Sequence, residues 1–248
     1  AIRKFIQQQV DYILLMPLYV TGWDSVLQEA RAAGIPVILV DRVIVTEDDS
    51  LYTAHVGSDF RWEWEQAVAW LEETFREAPG PVNILHIRGT LDTSAQLGRS
   101  NALEEAVAQH ESWSFLAQLD GDFTQAKTYE ATTRWLDSQS QPPDIHAVYC
   151  ENDNTALGAI QALEERGYLC GPEGIRVISF DATRQGLDYC LEGKISLEVE
   201  CDPLVGPQVE KIIQILEQGD VPDKHYYTRE RLFTPEDLTR EFIAQRPY

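Results

Sequence analysis

Six short apolar runs recur along the chain, VDYILLM, IPVILV, VNILHI, HAVYC, IRVISF and ISLEV, and helix-periodic polar sequence separates each from the next. Runs of strand length, rich in β-branched residues and bordered by helices of about 10–16 residues, call for a mainly parallel sheet covered on both faces. The spacing predicts strands at 12–16, 37–40, 52–56, 82–87, 115–119, 147–150, 176–180 and 195–199. Helices are expected at 1–9, 21–33, 60–77, 96–109, 124–138, 154–165, 183–191 and 203–218, with Gly34 and Gly219 as natural stops. In the second of these, Trp23, Val26, Leu27 and Ala30 share the face expected to be buried. The unit repeats twice, which suggests two similar lobes, although a parallel barrel has the same local pattern. A complete doubly wound lobe normally starts with a strand. Because this chain opens on a helix, either the first lobe is small or its natural beginning lies upstream.

Two of the apolar runs end in an aspartate: Asp41 closes IPVILVDR, with Arg42 behind it, and Asp181 closes IRVISFD. In open α/β sheets ligands bind beyond the carboxyl ends of the strands, so both carboxylates stand where a small molecule would lie. Carboxylates accept hydrogen bonds and Arg donates a planar fork, a combination suited to a hydroxylated ligand. Acidic residues also end strands as turn formers and helix caps, and that reading stands beside the first.

Charge narrows the partners. The chain carries 41 acidic residues against 20 Lys and Arg, a formal net charge of -21, which repels a phosphate backbone and argues against nucleic acid. The apolar runs are far shorter than a membrane span, and no basic-hydrophobic leader opens the chain. The cysteines, Cys150, Cys170, Cys190 and Cys201, form no CxxC or zinc-knuckle spacing, though a Cys150–Cys201 bridge is open to them. The histidines are scattered and no HExxH, GxSxG, GxGxxG or Walker sequence is present, so neither a metal nor a cofactor is expected.

The segments VDYILLMPLYVTGWDSVLQEARAAGIPVILVDR, GDFTQAK from Gly121 and ENDNTALGAIQALEERG from Glu151 resemble the periplasmic sugar-binding proteins of bacterial ABC transporters. The group is the one that holds the ribose- and galactofuranose-binding proteins. ISFDATRQGLDYCLEGKISLEVECDP and the closing Tyr248 extend the likeness over essentially the whole chain. The resemblance implies a type I periplasmic binding fold: two three-layer α/β/α lobes with parallel sheets, joined by three crossings and closing over a sugar. It places the first lobe at 1–57 and 202–228, the second at 58–201, and a tail along the hinge side at 229–248. It also implies a strand–helix–strand before Ala1.

Carried over by motif, the resemblance assigns sugar contacts to Asp41, Arg42, Arg99, Phe123, Asn152, Asp181 and Glu200. Phe123 would pack on the apolar face of the ring. Asp92, Thr93 and Ser94 rival Arg99 for the inward position of their loop, and the ECDPLVG spacing after Glu200 is shorter than in the ribose-binding pattern. The implied function is binding of a monosaccharide, galactofuranose or galactose-like, without chemistry. Delivery would be to the membrane permease of an ABC importer, by a periplasmic or extracellular monomer whose precursor carries a signal or lipid anchor. Two other classes share these features: a ligand-sensing domain of a receptor or regulator, and a carbohydrate-active enzyme using Asp41, Asp181 and Glu200 as acid and base.

Overall fold

The computed structural model describes residues 1–248. In chain order the elements are α1 Ile2–Gln7, β1 Ile13–Leu15, α2 Asp24–Ala32, β2 Val37–Val40, β3 Ala54–Gly57, α3 Phe60–Thr74 and β4 Val82–Arg88. Then follow α4 Ser94–Gln109, β5 Trp113–Asp120, α5 Gln125–Asp137, β6 Ala147–Cys150, α6 Asp153–Glu164, β7 Arg176–Asp181 and α7 Arg184–Leu191. The chain closes with β8 Leu197–Glu200, α8 Gly206–Glu217, β9 His225–Tyr227, β10 Leu232–Phe233 and α9 Arg240–Gln245. The strands form two separate open sheets, ordered β1-β2-β3-β9 and β10-β8-β7-β6-β4-β5, so the barrel alternative does not hold. All pairings are parallel except that of β10 with β8.

Two compact units result. The first comprises 1–59, 92–94 and 202–229; the second comprises 60–91, 95–201 and 230–248. In the first unit the period-2 alternation of β2 makes three layers. Val37 and Leu39 pack with Ile2, Leu27 and Ala30 of α1 and α2. Ile38 turns to the other face, against Val209 and Ile212 of α8. An apolar strand with no polar face requires this double cover. α2 stops where Gly34 adopts a left-handed φ of 72°. β1 is one of the two edge strands, with Ile13 and Leu15 buried while Leu14 and Met16 keep 53% and 64% exposure.

The second unit repeats the device at larger scale. Leu85, Ile87, Val148, Cys150 and Val177 pack with α6 and α7 on one face. Ile84, Tyr149, Ile178, Phe180, Leu197 and Val199 pack with α3 and α4 on the other. Of the segment 229–248, expected as a tail along the hinge side, residues 230–248 group with this unit. Phe233, Leu238 and Ile243 are in its core, and β10 lines up against β8.

The side of α2 expected to be buried is the one that meets the core. Leu27 and Ala30 are fully buried there, and Trp23 and Val26 pack against the same cluster half-buried; Trp23, at the N-cap of α2, also donates its indole N–H to the Tyr19 carbonyl at 2.7 Å. An indole needs a partner for its N–H, and at a helix entry a loop carbonyl supplies one. All four cysteines are thiols, so the Cys150–Cys201 bridge is not formed. No helix is long and apolar enough to cross a membrane.

Candidate functional site

In the second unit, Arg99, Asn152 and Asp181 come together from three separate elements. Arg99 lies in α4 and is 2% exposed. Its Nε and Nη2 donate to Glu63 Oε2 at 3.1 and 2.9 Å, and Nη1 donates to the Glu151 carbonyl at 2.5 Å. The guanidinium lies over the Phe180 ring at 4.5 Å, with Nη2 3.6 Å from Asp181 Oδ1. A buried cation needs this saturation, because each unmet donor carries its full desolvation cost. Asn152 caps α6, its Oδ1 accepting from Thr155 N at 3.0 Å, which leaves Nδ2 to donate to Asp181 Oδ2 at 3.3 Å.

Asp181 is the ionisable centre of this group, and its side chain keeps 31% exposure. Burial pushes its carboxyl up, to about 8, while Arg99 pulls the other way and the carboxylates of Asp153 and Glu63 push up again. One Arg serves two acids here, so one of them holds a proton more tightly than a free carboxyl would. Behind it Asp153 accepts from Ser179 Oγ and from Thr183 N, both at 2.7 Å. Burial raises Asp153 and its neighbour Glu198 as well.

Phe123 sits half-buried in the turn between β5 and α5, outside the apolar clusters of the unit. Its ring occupies the space in front of Gly89, where a Cβ would come within 2.1 Å of Cε1. The Phe123 carbonyl accepts from Asn154 Nδ2 at 3.2 Å, and the preceding Asp122 accepts from Thr90 Oγ1 at 2.7 Å. The turn is therefore tied to the first turn of α6 and to the loop that follows β4.

Glu200, directly across from Asp181 on the adjacent strand, is committed elsewhere. Its Oε1 accepts from Arg246 and from Tyr248 Oη (3.0 Å), and its Oε2 from Arg231 Nε at 3.2 Å. Burial alone would raise this carboxyl, but the hydrogen bonds from Arg231 and Arg246 outweigh it and hold it below the usual range. Its geometry is that of a clasp for the C-terminal segment.

The first unit supplies Asp41 and Arg42 just beyond β2, with Arg42 Nε 3.8 Å from Asp41 Oδ2. Asp41 N donates to the Val56 carbonyl at 2.8 Å, and Arg42 N reaches back to the Val40 carbonyl at 2.9 Å. Of the loop rivals to Arg99, Asp92 and Ser94 are bonded into this unit. The Asp92 carbonyl accepts from Val20 N at 3.0 Å, and Ser94 Oγ accepts from Val43 N at 3.1 Å. Thr93 between them is buried.

A common backbone signature runs through these positions. Seven non-glycine residues have positive φ, and six lie at a strand end or within four residues after one: Asp41 (66°), Asp92 (62°), Asp122 (56°), Phe123 (55°), Asp181 (100°) and Ala182 (53°). Such conformations are costly and persist where the surroundings over-determine them, which is typical of binding sites.

Sequence reasoning missed Glu63, the partner that completes Arg99. The signal was present: Glu63 falls three residues after Phe60 and four before Ala67, on the buried stripe of α3. A charge on an apolar stripe requires a buried counter-charge. As for metals, Glu63, Cys201 and Glu230 each place one donor atom within 4.8 Å of the others, but Glu63 Oε2 is already held by Arg99.

A family profile described as a periplasmic binding protein domain matches residues 1–200. The galactofuranose-binding protein YtfQ of Escherichia coli is 32% identical over 99% of this chain and 77% of its own length. A Mycobacterium smegmatis protein solved in complex with β-D-fucofuranose superposes with a TM-score of 0.87 at 35% identity, over 95% of this chain and 76% of its own. The binding-protein component of an arabinose ABC transporter from Shewanella sp. ANA-3, solved with α- and β-L-arabinofuranose, also gives 0.87. It is 33% identical over 95% of this chain and 76% of that one.

Proposed function

The chain belongs to the periplasmic binding protein domain family, and on that premise we propose that it binds a monosaccharide in a galactofuranose-like furanose form. It leaves the sugar chemically unchanged and delivers it, in the periplasm, to the permease of an ABC importer. The observation that carries this reading is the Arg99–Asp181–Asn152 group, in which strained strand-end backbone presents a partly exposed carboxyl oriented by the Arg99 charge and by the Asn152 amide that donates to it. The furanose ligands of the relatives solved with sugar, and the name of the curated relative, support the substrate class.

In this reading Asp181 and Asn152 bridge ring hydroxyls, Phe123 covers an apolar sugar face, and Asp41 and Arg42 supply an acceptor and a donor from the first unit. Arg99 orients Asp181 from behind. Binding alone, without hydrolysis, is supported by the state of the carboxyls. Glu200 is fully engaged with Arg231, Arg246 and Tyr248, and Asp181 with Arg99 and Asn152, so neither is poised against the other as an acid–base pair. Selectivity follows because a sugar lacking one matching hydroxyl leaves a desolvated polar group unpaired.

The test is calorimetric titration with D-galactose, D-fucose and L-arabinose equilibrated in water, followed by recovery and chromatography of the sugar. Saturable binding with unchanged sugar is expected, and Arg42→Ala should weaken it by about 2–5 kcal/mol if its bonds to the sugar are buried. Consumption of the sugar, or full affinity in both Arg42→Ala and Asp181→Ala, would refute the reading.

A further inference from the structure

One buried titratable group stands outside the site and bonds directly to it. His55, on β3, is 1% exposed, and its Nε2 lies 2.9 Å from the Asp41 carbonyl oxygen. A carbonyl can only accept, so Nε2 carries the hydrogen. In the neutral ring Nδ1 is then a bare acceptor, and it has no hydrogen-bond partner. An apolar side chain would fill the same space without that cost, so the imidazole's contribution is the bond it donates.

What it holds is an unfavourable turn. Asp41 has a φ of 66°, and Arg42 N closes back on the Val40 carbonyl at 2.9 Å, a three-residue turn with a positive central φ. This form of the γ-turn is rare and strained. A second residue makes the contact possible. A Cβ on Gly57 would come 2.7 Å from the Asp41 carbonyl oxygen, 2.9 Å from Asp41 Cα and 3.1 Å from His55 Nε2. Only glycine leaves β3 room for both the turn and the imidazole. Burial keeps the ring neutral by lowering its proton affinity; the bond to Asp41 opposes this and nearby His225 adds to it.

We propose that His55 is a positioning residue for sugar binding: its neutral imidazole, donating from Nε2 over Gly57, pins the Asp41 turn so that Asp41 and Arg42 are presented in their binding posture. The inference rests on the reading that Asp41 and Arg42 contact the sugar.

Two measurements test it. Long-range proton–nitrogen NMR of the 15N-labelled chain, with no sugar present, should show His55 at pH 7 as the neutral Nε2–H tautomer. An Nδ1–H tautomer or an imidazolium overturns the proposal, and this readout stands even if a variant fails to fold. The second measurement titrates L-arabinose and D-galactose into His55→Leu, His55→Gln and Asp41→Ala. His55→Leu should lose at least about tenfold in affinity, while His55→Gln, which restores an N–H donor, should stay within about threefold of the parent. Equal losses in the Leu and Gln variants overturn the positioning role. Parental affinity in His55→Leu beside a weakened Asp41→Ala overturns the inference alone. Parental affinity in Asp41→Ala removes Asp41 from the site and takes the inference with it.

Discussion

Replacing Arg99 by Met tests whether the buried ion pair is a structural requirement of the second unit. Methionine keeps the bulk of the stem but removes the guanidinium, and with it two bonds to Glu63, one to the Glu151 carbonyl and the stacking on Phe180. The loss is more than a sum of hydrogen bonds, because Glu63 is 0% exposed and would be left as an uncompensated buried charge. Removing one partner of such a pair costs about 3–5 kcal/mol, whereas replacing both by neutral groups costs far less.

Arg99→Met should therefore lower the unfolding free energy by about 3–5 kcal/mol, and Glu63→Gln/Arg99→Met should recover at least about 1 kcal/mol of it. Urea denaturation followed by tryptophan fluorescence suits the measurement. Five of the six tryptophans, Trp62, Trp64, Trp70, Trp113 and Trp135, lie in the second unit and report on it directly. A single variant within about 1 kcal/mol of the parent, or a double variant less stable than the single, would refute the ion-pair argument.

Two further outcomes follow from the same geometry. Asp181, with its carboxyl raised to about 8, and the raised Asp153 and Glu198 hold protons in the folded state that the unfolded chain releases above about pH 4. The fold should lose stability as pH rises from about 4 to 8, and Asp181→Asn should flatten that slope; an unchanged slope would show that Asp181 ionises normally. Gly89→Ala would drive a Cβ to 2.1 Å from the Phe123 ring. The ring tip must swing away, so sugar affinity should fall about tenfold or more. Stability should drop by only about 1 kcal/mol, the ring being half-exposed, and unaltered affinity would mean that Phe123 does not touch the sugar.

The fold was legible because its strands are apolar on both faces. Val37, Ile38 and Leu39 in succession call for a covered parallel sheet; repeating the unit suggested two lobes, and the two separate sheets decide against the barrel. What pattern could not show was where one lobe yields to the other. Asp92–Ser94 sit among second-unit residues in sequence yet bond to Val20 and Val43, and 230–248 return to the second unit through Phe233 and Ile243. Both are long-range backbone and packing choices with no local periodicity. Helical phase rightly placed Trp23 with Leu27 against the core, but did not show its position as the N-cap of α2 with the indole N–H given to the Tyr19 carbonyl.

The aspartates at strand ends pose a subtler case, since turn former and ligand contact were competing readings of the same residues. The two readings are compatible: the backbone shows the turn, and the proposed contact would use the carboxylate that the turn leaves beyond the strand. Asp tolerates a positive φ better than most side chains because its short polar group can bond locally. Four of the six strand-end residues with positive φ are Asp. A left-handed residue at the carboxyl end of a strand breaks the alternation of side chains, so its carboxylate leaves the sheet faces and becomes available beyond the strand. Phe123 lacks that tolerance, and its conformation is held instead by Asn154 on its carbonyl and by Thr90 on Asp122. The same turn chemistry that ends the strand therefore places a polar group where the proposed sugar contact needs one, so an apolar run followed by Asp is a signal for both readings.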